Sequence, residues 1–138
     1  MIESIISMEL PAGGHLAIRR NRICPEQETK QCRRISLVSG IHGDELEGQY
    51  ICYETARRVK EHPEYLKGIV DIYPALNPLG IDMASRTVPR LEMDMNRMFP
   101  GDASGDMMER ITAAVVDSII GSDICMDPVS YTHLRAHE

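Results

Sequence analysis

Apolar and charged positions alternate from His15 to Ile23, the two-residue period of a half-buried strand. Met1–Leu10 reads as a preceding short strand, and Pro11-Ala-Gly-Gly14 as a turn, because glycine supplies the positive φ values that turns need. Together they predict a β-hairpin. Arg34–Ser39 is a compact strand rich in branched residues, followed by a tight loop, Gly40–Asp44. Leu46–Lys60 then reads as a helix with Leu46, Tyr50, Tyr53 and Val59 as its apolar positions. His62-Pro63 ends it, since the residue before proline disfavours helix. Lys67–Ala75 is the next strand. Asn77–Gly101 has many turn formers and little periodicity, and a segment of that length in a compact domain is often functional. Asp106–Ile120 is a second helix, closed by Gly121, and Ser122–Asp127 starts a last strand.

This order predicts an α/β fold: a mostly parallel sheet with helices on both faces, preceded by the N-terminal β-hairpin. Residues 1–127 read as one domain. Pro128–Glu138 follows the last strand abruptly, with neither strand nor helix periodicity. It resembles translated adapter read-through at the end of a gene fragment, so 128–138 is expected to be a non-native tail and is set aside from the fold.

Composition narrows the function classes. Apolar residues make up 43% of the 138, enough for a real core, and nine Met offset an aromatic share of only 4%. The net charge of −6 argues against a nucleic-acid binder, which needs a basic face to displace phosphate counterions. It does not exclude a small anionic substrate, because a pocket can be locally basic. The amino terminus has no basic start leading into a long apolar run, and no stretch matches a membrane span. Four Cys without Cys-x-x-Cys spacing fit reduced thiols, so a cytoplasmic protein without a membrane partner is expected.

Two constellations carry chemistry. Ser39-Gly-Ile-His-Gly-Asp-Glu-Leu-Glu-Gly48 stands where a strand passes into a helix, and ligands of open α/β sheets bind beyond the carboxyl ends of strands. His42 and Glu45 lie three residues apart across the loop and the first helical residues. That spacing can aim an imidazole nitrogen and a carboxylate oxygen at one metal ion. The same residues also fit a loop histidine bonded to backbone and a first-turn carboxylate favoured by the helix dipole. Asp44 reads as the helix N-cap.

The second constellation follows the next strand: Asn77-Pro78, then Arg86 and Arg90, then Asp94-Met-Asn-Arg-Met-Phe-Pro-Gly101. Arg97 can grip a carboxylate through two parallel hydrogen bonds, which lysine cannot reproduce. Asn96 can add a neutral hydrogen bond, and Asp94 can orient one of the arginines. Taken alone, this segment reads better as a solvated polar loop with an internal Asp–Arg pair.

In order and rough spacing, the two constellations resemble the succinylglutamate desuccinylase/aspartoacylase family, zinc hydrolases related to the zinc carboxypeptidases. The resemblance rests on His42-Gly-Asp-Glu45, Asn77-Pro78, Arg86 and Asp94–Gly101, and spans about residues 34–127. It implies one Zn2+ per site with His42 and Glu45 as ligands. Arg86 would polarise the scissile carbonyl, with Arg90 as the alternative. Asn96 and Arg97 would bind the free carboxylate of a small-molecule substrate, with Asp94 supporting them. The implied activity is amide hydrolysis of an N-acyl amino acid. A peptide-cleaving carboxypeptidase and a non-catalytic carboxylate-binding module are the alternatives. The family's third zinc ligand is a His whose place here is position 129, which is Val. His133 and His137 have the wrong spacing, and the family's general-base Glu has no counterpart. The chain is therefore expected to be an incomplete, inactive catalytic domain.

Overall fold

The computed structural model describes residues 1–26, 32–89 and 91–129. Arg90, His133 and His137 lie outside the described residues, as does most of the expected tail.

The chain runs through strands β1 (Ile2–Leu10), β2 (Gly14–Ile23) and β3 (Arg34–Val38), helix α1 (Glu47–Glu61), strand β4 (Ile69–Tyr73), helices α2 (Pro78–Asp82) and α3 (Met107–Ile119), and strand β5 (Ile124–Met126). The strands form one sheet in the order β1-β2-β4-β3-β5. Strands β4 and β5 lie parallel to β3, while β2 is antiparallel to both β1 and β4. The sheet is thus mixed, and the expectation of a mostly parallel sheet is corrected. The cause is the hairpin, which docks through β2 onto β4 instead of standing apart. A charged clamp fixes that junction. Arg22 grips Asp71, fully buried on β4, through two bonds of 2.7 Å. Arg20 and Arg34 approach the same carboxylate at 3.6 and 4.0 Å.

The expectation of helices on both faces holds. On β3 and β4, side chains alternate between faces. Leu37 and Ile72 pack on one face with Cys52 and Ala56 of α1. Val38 and Tyr73 pack on the other with Ile111 and Val115 of α3, joined by Leu16 and Ile18 of β2. Each such fully buried aliphatic side chain contributes about 1.5–3 kcal/mol. Helix α3 starts at a capping box: the Asp106 carboxylate accepts from the Met108 and Glu109 N–H groups, and Glu109 reaches back to the Asp106 N–H.

Helix α1 turns a different side to the sheet than its apolar positions predict. Leu46, Tyr50 and Tyr53 are exposed and Val59 is half-buried, while Gly48 and Cys52 are buried. Small residues at helical spacing let the helix lie close to the strand ends. A Cβ at Gly48 would come within 2.3 Å of both Ser39 Oγ and the Pro128 carbonyl oxygen. Burial, then the nearby charge of Asp127, pushes the Cys52 thiol up to about 11, as befits a packing cysteine. No described helix is long and apolar enough to cross a membrane.

Candidate functional site

The loop after β3 leads to α1 on one face of the sheet, and the loop after β4 leads towards α3 on the other. Their divergence opens a crevice at the carboxyl ends of two adjacent parallel strands, the position where open α/β sheets bind ligands. Both chemical constellations fall there.

Hydrogen bonds lock the two loops together. The Ser39 N–H donates to Tyr73 O (2.8 Å), the Leu76 N–H to Ser39 O (3.1 Å) and the Asn77 N–H to Gly40 O (2.7 Å). Gly40 adopts φ +73°, a conformation that side chains disfavour. Gly43 lies against α2 so closely that a Cβ would meet the Gly80 carbonyl carbon at 2.0 Å. Helix α2 is short and well started: Asn77 Oδ1 accepts from the Gly80 N–H at 2.9 Å, and Pro78 occupies the first turn. Asn77-Pro78 therefore builds the shelf under the His42 loop. The Asn77 amide nitrogen is buried without a hydrogen-bond partner among the described residues.

His42 is buried between two carboxylates. Its Nδ1 faces Glu45 Oε1 at 3.1 Å, and its Nε2 faces Asp94 Oδ1 at 3.0 Å. Asp94 also accepts from the Asn96 N–H at 3.0 Å, capping the 3-10 turn Met95–Arg97. Burial pushes the Asp94 carboxyl up, but the bonds from His42 and Asn96 and the charge of Arg86 outweigh it and hold the carboxyl below its usual value. Arg86 spans both acids, with Nη1 at 3.4 Å from Glu45 and Nη2 at 3.9 Å from Asp94. Arg97 approaches Asp94 at 3.8 Å yet its side chain is 86% exposed. The pocket beside His42 encloses ≈ 40 Å³ and is lined by Ser39, His42, Glu45, Asn96, Asp127 and Val129, among others. That volume suits an ion with its water, not an acyl amino acid. Partial burial, then the charge of Glu45, raises the Asp127 carboxyl above its usual value, while His42 pulls it down.

Of the residues expected from sequence, His42, Glu45, Arg86, Asp94, Asn96 and Arg97 are brought to this crevice. Two local expectations are corrected. Helix α1 begins at Glu47, so Glu45 belongs to the turn before the helix. Asp44 does not cap it, because the N-cap position is Leu46 and no side chain bonds there. The bond from His42 to Asp94 had no signal in local spacing, since 52 residues separate the partners.

The donors fit a metal in part. When Nε2–H donates to Asp94, the Nδ1 lone pair faces the Glu45 carboxylate, and two acceptors at that distance require a cation between or beside them. A proton on Nδ1 or a metal ion satisfies the pair. Two vertices of a tetrahedral zinc site with bonds of about 2.1 Å lie about 3.4 Å apart, close to the observed separation. Among the described residues, however, no three His, Cys, Asp or Glu side chains converge on one point. Catalytic zinc sites use three protein ligands and a water. The described residues therefore supply two vertices of such a site and do not complete it.

Comparisons with known proteins agree with this mixed α/β sheet at the level of fold. Residues 31–127 match the succinylglutamate desuccinylase/aspartoacylase catalytic domain, and the chain belongs to that family. It is 33% identical over 92 residues to the N-alpha-acetyl-L-2,4-diaminobutyric acid deacetylase of Halomonas elongata, covering 66% of this chain and 26% of that one. A succinylglutamate desuccinylase/aspartoacylase structure from Rhodobacter sphaeroides is similar at 32% identity and a TM-score of 0.68, covering 83% of this chain and 34% of the other. The product-bound ectoine utilization protein EutE (DoeB) of Ruegeria pomeroyi gives 26% identity and a TM-score of 0.73, covering 88% and 36%. A metallo-carboxypeptidase from Burkholderia cenocepacia shares the fold at 16% identity and a TM-score of 0.66, covering 92% and 35%. The chain thus spans about a quarter of the curated relative and about a third of these solved structures.

Proposed function

We infer that this crevice serves hydrolysis of the amide bond of an N-acyl amino acid or a related small carboxylate, with zinc held through His42 and Glu45. The observation that carries the reading is the orientation of His42. Asp94 faces Nε2 and Glu45 faces Nδ1, so in the tautomer with its proton on Nε2 the Nδ1 lone pair is turned to the Glu45 carboxylate and the two can share a metal ion. Asp94 is then a positioning residue for His42, a deeper role than support of the arginines alone. A carboxylate that fixes a ligating histidine typically contributes 10–100-fold to metal affinity, as an order of magnitude of about two decades at most.

The remaining residues suit the substrate. Arg97 is exposed beside the pocket, and its planar guanidinium can take a carboxylate through two parallel bonds. Asn96, also exposed, adds a neutral donor. Arg86 is half out in solvent, with its side chain 55% exposed, and keeps N–H groups free for an incoming carbonyl oxygen. Binding the substrate at both ends would lower the entropic barrier to attack on its amide. With two metal donors present, the 138-residue chain itself is expected to be inactive.

The test is to purify the chain, measure its zinc content, and assay N-acetyl amino acids beside short peptides for cleavage and for binding. The expected result is no turnover, His42-dependent zinc binding, and N-acetyl amino acid binding that Arg97→Ala abolishes. Robust turnover would remove the case for inactivity. Binding indifferent to Arg97 and Arg86 would remove the carboxylate role. A carboxylate-binding module is the second reading, favoured by the exposed Arg97 beside an incomplete donor set. It requires that His42→Ala leave ligand binding intact and that no zinc be bound.

A further inference from the structure

Behind the crevice, on the other side of α2, the sheet leaves a second opening. The β2–β4 ladder runs only from Asn21 opposite Ile72 to Ile23 opposite Val70. Beyond Tyr73 the chain turns to pair with the loop after β3, and Pro74 has no N–H to offer β2. A groove of ≈ 470 Å³ results, within the usual size of small-ligand sites. One wall is β2, whose alternate residues His15, Ala17 and Arg19 share a face. The other is α2, where Pro78 and Asp82, four residues apart, stand on one helix face with Leu79 beside them. Gly80 and Ile81 point the other way, against Gly43 and Gly40 of the His42 loop. The groove carries a charge of each sign. Arg19 and Asp82 are both exposed, and neither has a hydrogen bond or ion pair among the described residues. They do not pair with each other, so the groove keeps them apart and leaves both available. His15, by contrast, is already tied to Ser7 through Nε2 at 2.6 Å.

We propose that this groove binds a free α-amino acid with a small aliphatic side chain, its carboxylate on Arg19, its ammonium on Asp82 and its side chain against Pro74, Ala75 and Leu79. The guanidinium takes a carboxylate through two parallel N–H bonds, and the aspartate accepts from the ammonium. A ligand with a single charge leaves the opposite side chain unanswered. An N-acyl amino acid is such a ligand, because acylation turns the ammonium into a neutral amide. In the hydrolysis proposed above, water adds across the amide bond. The acyl group leaves as a carboxylate and the nitrogen as the ammonium of a free amino acid. The groove therefore takes that product and not the substrate. The link to product rests on the proposed function, whereas the preference for a zwitterion rests on Arg19 and Asp82 alone. Because both charges are exposed, binding is weak and falls with salt.

The test titrates the isotope-labelled full chain with L-valine and follows its backbone amides by NMR. N-acetyl-L-valine, which lacks the ammonium, and L-valinamide, which lacks the carboxylate, are the single-charge probes. The variants are Arg19→Gln and Asp82→Asn in the groove, and Arg97→Ala in the crevice. L-valine should shift amides within residues 15–19 and 75–82, with a Kd on the order of a millimolar. Each groove variant should weaken that binding about fivefold, and each single-charge probe should fall short of L-valine there by about the same factor. Arg97→Ala should leave L-valine binding unchanged. Urea midpoints of the groove variants should match that of the unmodified chain, since neither side chain has a partner in the fold. An absence of groove shifts with L-valine would overturn the proposal. So would equal groove binding by either single-charge probe, or groove variants that bind L-valine as well as the unmodified chain does. L-valine binding lost in Arg97→Ala alone would move the amino acid to the crevice and sink the groove. Binding of N-acetyl-L-valine that depends on Arg97 is read from the crevice amides, so either site can fail without the other.

Discussion

Two clusters of acids and arginines sit on the same sheet, and they differ in what they leave unsatisfied. Around Asp71 the carboxylate is fully buried, Arg22 holds it through two bonds, and Arg20 and Arg34 close in behind. The arginines are themselves used up. Arg20 also pairs with Glu3, and Arg34 donates to the Ile119 and Ile120 carbonyls at the end of α3. Around His42 the acids are Glu45 and Asp94, and their arginines stand far apart from them, at 3.4–3.9 Å, with guanidinium groups in solvent. The first cluster spends most of its donors on Asp71, Glu3 and the carbonyls at the end of α3. The second has an exposed cation, a half-used arginine and a histidine whose two ring nitrogens each face a carboxylate oxygen. Similar residues thus hold β2 to β4 in one place and, on the function proposed above, offer a binding site in the other, and burial with spare donors decides which.

The largest expected effect falls on the closed cluster. Asp71→Ala leaves three arginines crowded together with their buried counter-charge gone. Breaking one side of such a pair costs about 3–5 kcal/mol. The urea midpoint should fall accordingly, and the hairpin should exchange its amide protons first. A loss below about 1 kcal/mol, the value of an exposed pair, would show that the arginines relax into solvent and that the two clusters are energetically alike.

The contrast also explains what was legible in the sequence. The His42 and Arg97 motifs are contiguous runs at strand ends, so residue type and order exposed them, along with the two-faced placement of the helices. Asp71 is one acid inside the strand Lys67–Ala75, and its partners lie at positions 20, 22 and 34. Nothing local marks it as the residue that fastens an antiparallel hairpin to the parallel strands, and the mixed sheet was missed for the same reason. Helix α1 failed differently. Its large apolar residues suggested the buried side, but the sheet approaches so closely that only the Gly48, Cys52 and Ala56 side fits. The Asp94–His42 bond joins two motifs that were each recognised, and only the tertiary fold shows that one orients the other.

A middle-sized effect should separate orientation from stability at the open cluster. Asp94→Asn keeps an oxygen to accept from the Asn96 N–H but removes the charge that faces His42 Nε2. Zn2+ affinity of the chain should drop by about 10–100-fold. The urea midpoint should move by no more than about 0.5 kcal/mol in stability terms. Unchanged zinc affinity would mean that Asp94 serves the 3-10 turn only, and would make this cluster structural like the first.

The smallest effect on stability should come from Arg97→Ala. Its guanidinium is the most exposed in either cluster and reaches Asp94 only at 3.8 Å, so solvent and salt screen nearly all of the attraction. Exposed pairs of this kind contribute about 0–1 kcal/mol, and the midpoint should stay within about 0.5 kcal/mol of the unmodified chain. Binding of an N-acetyl amino acid should nevertheless be lost, because the same exposure that makes Arg97 irrelevant to folding leaves its donors available to a carboxylate. Arg97→Lys should restore charge without restoring binding, since an ammonium cannot form the two parallel bonds. Full rescue by lysine would reduce Arg97 to a point charge. A fall in stability comparable to that of Asp71→Ala would place Arg97 among the groups that hold the fold together.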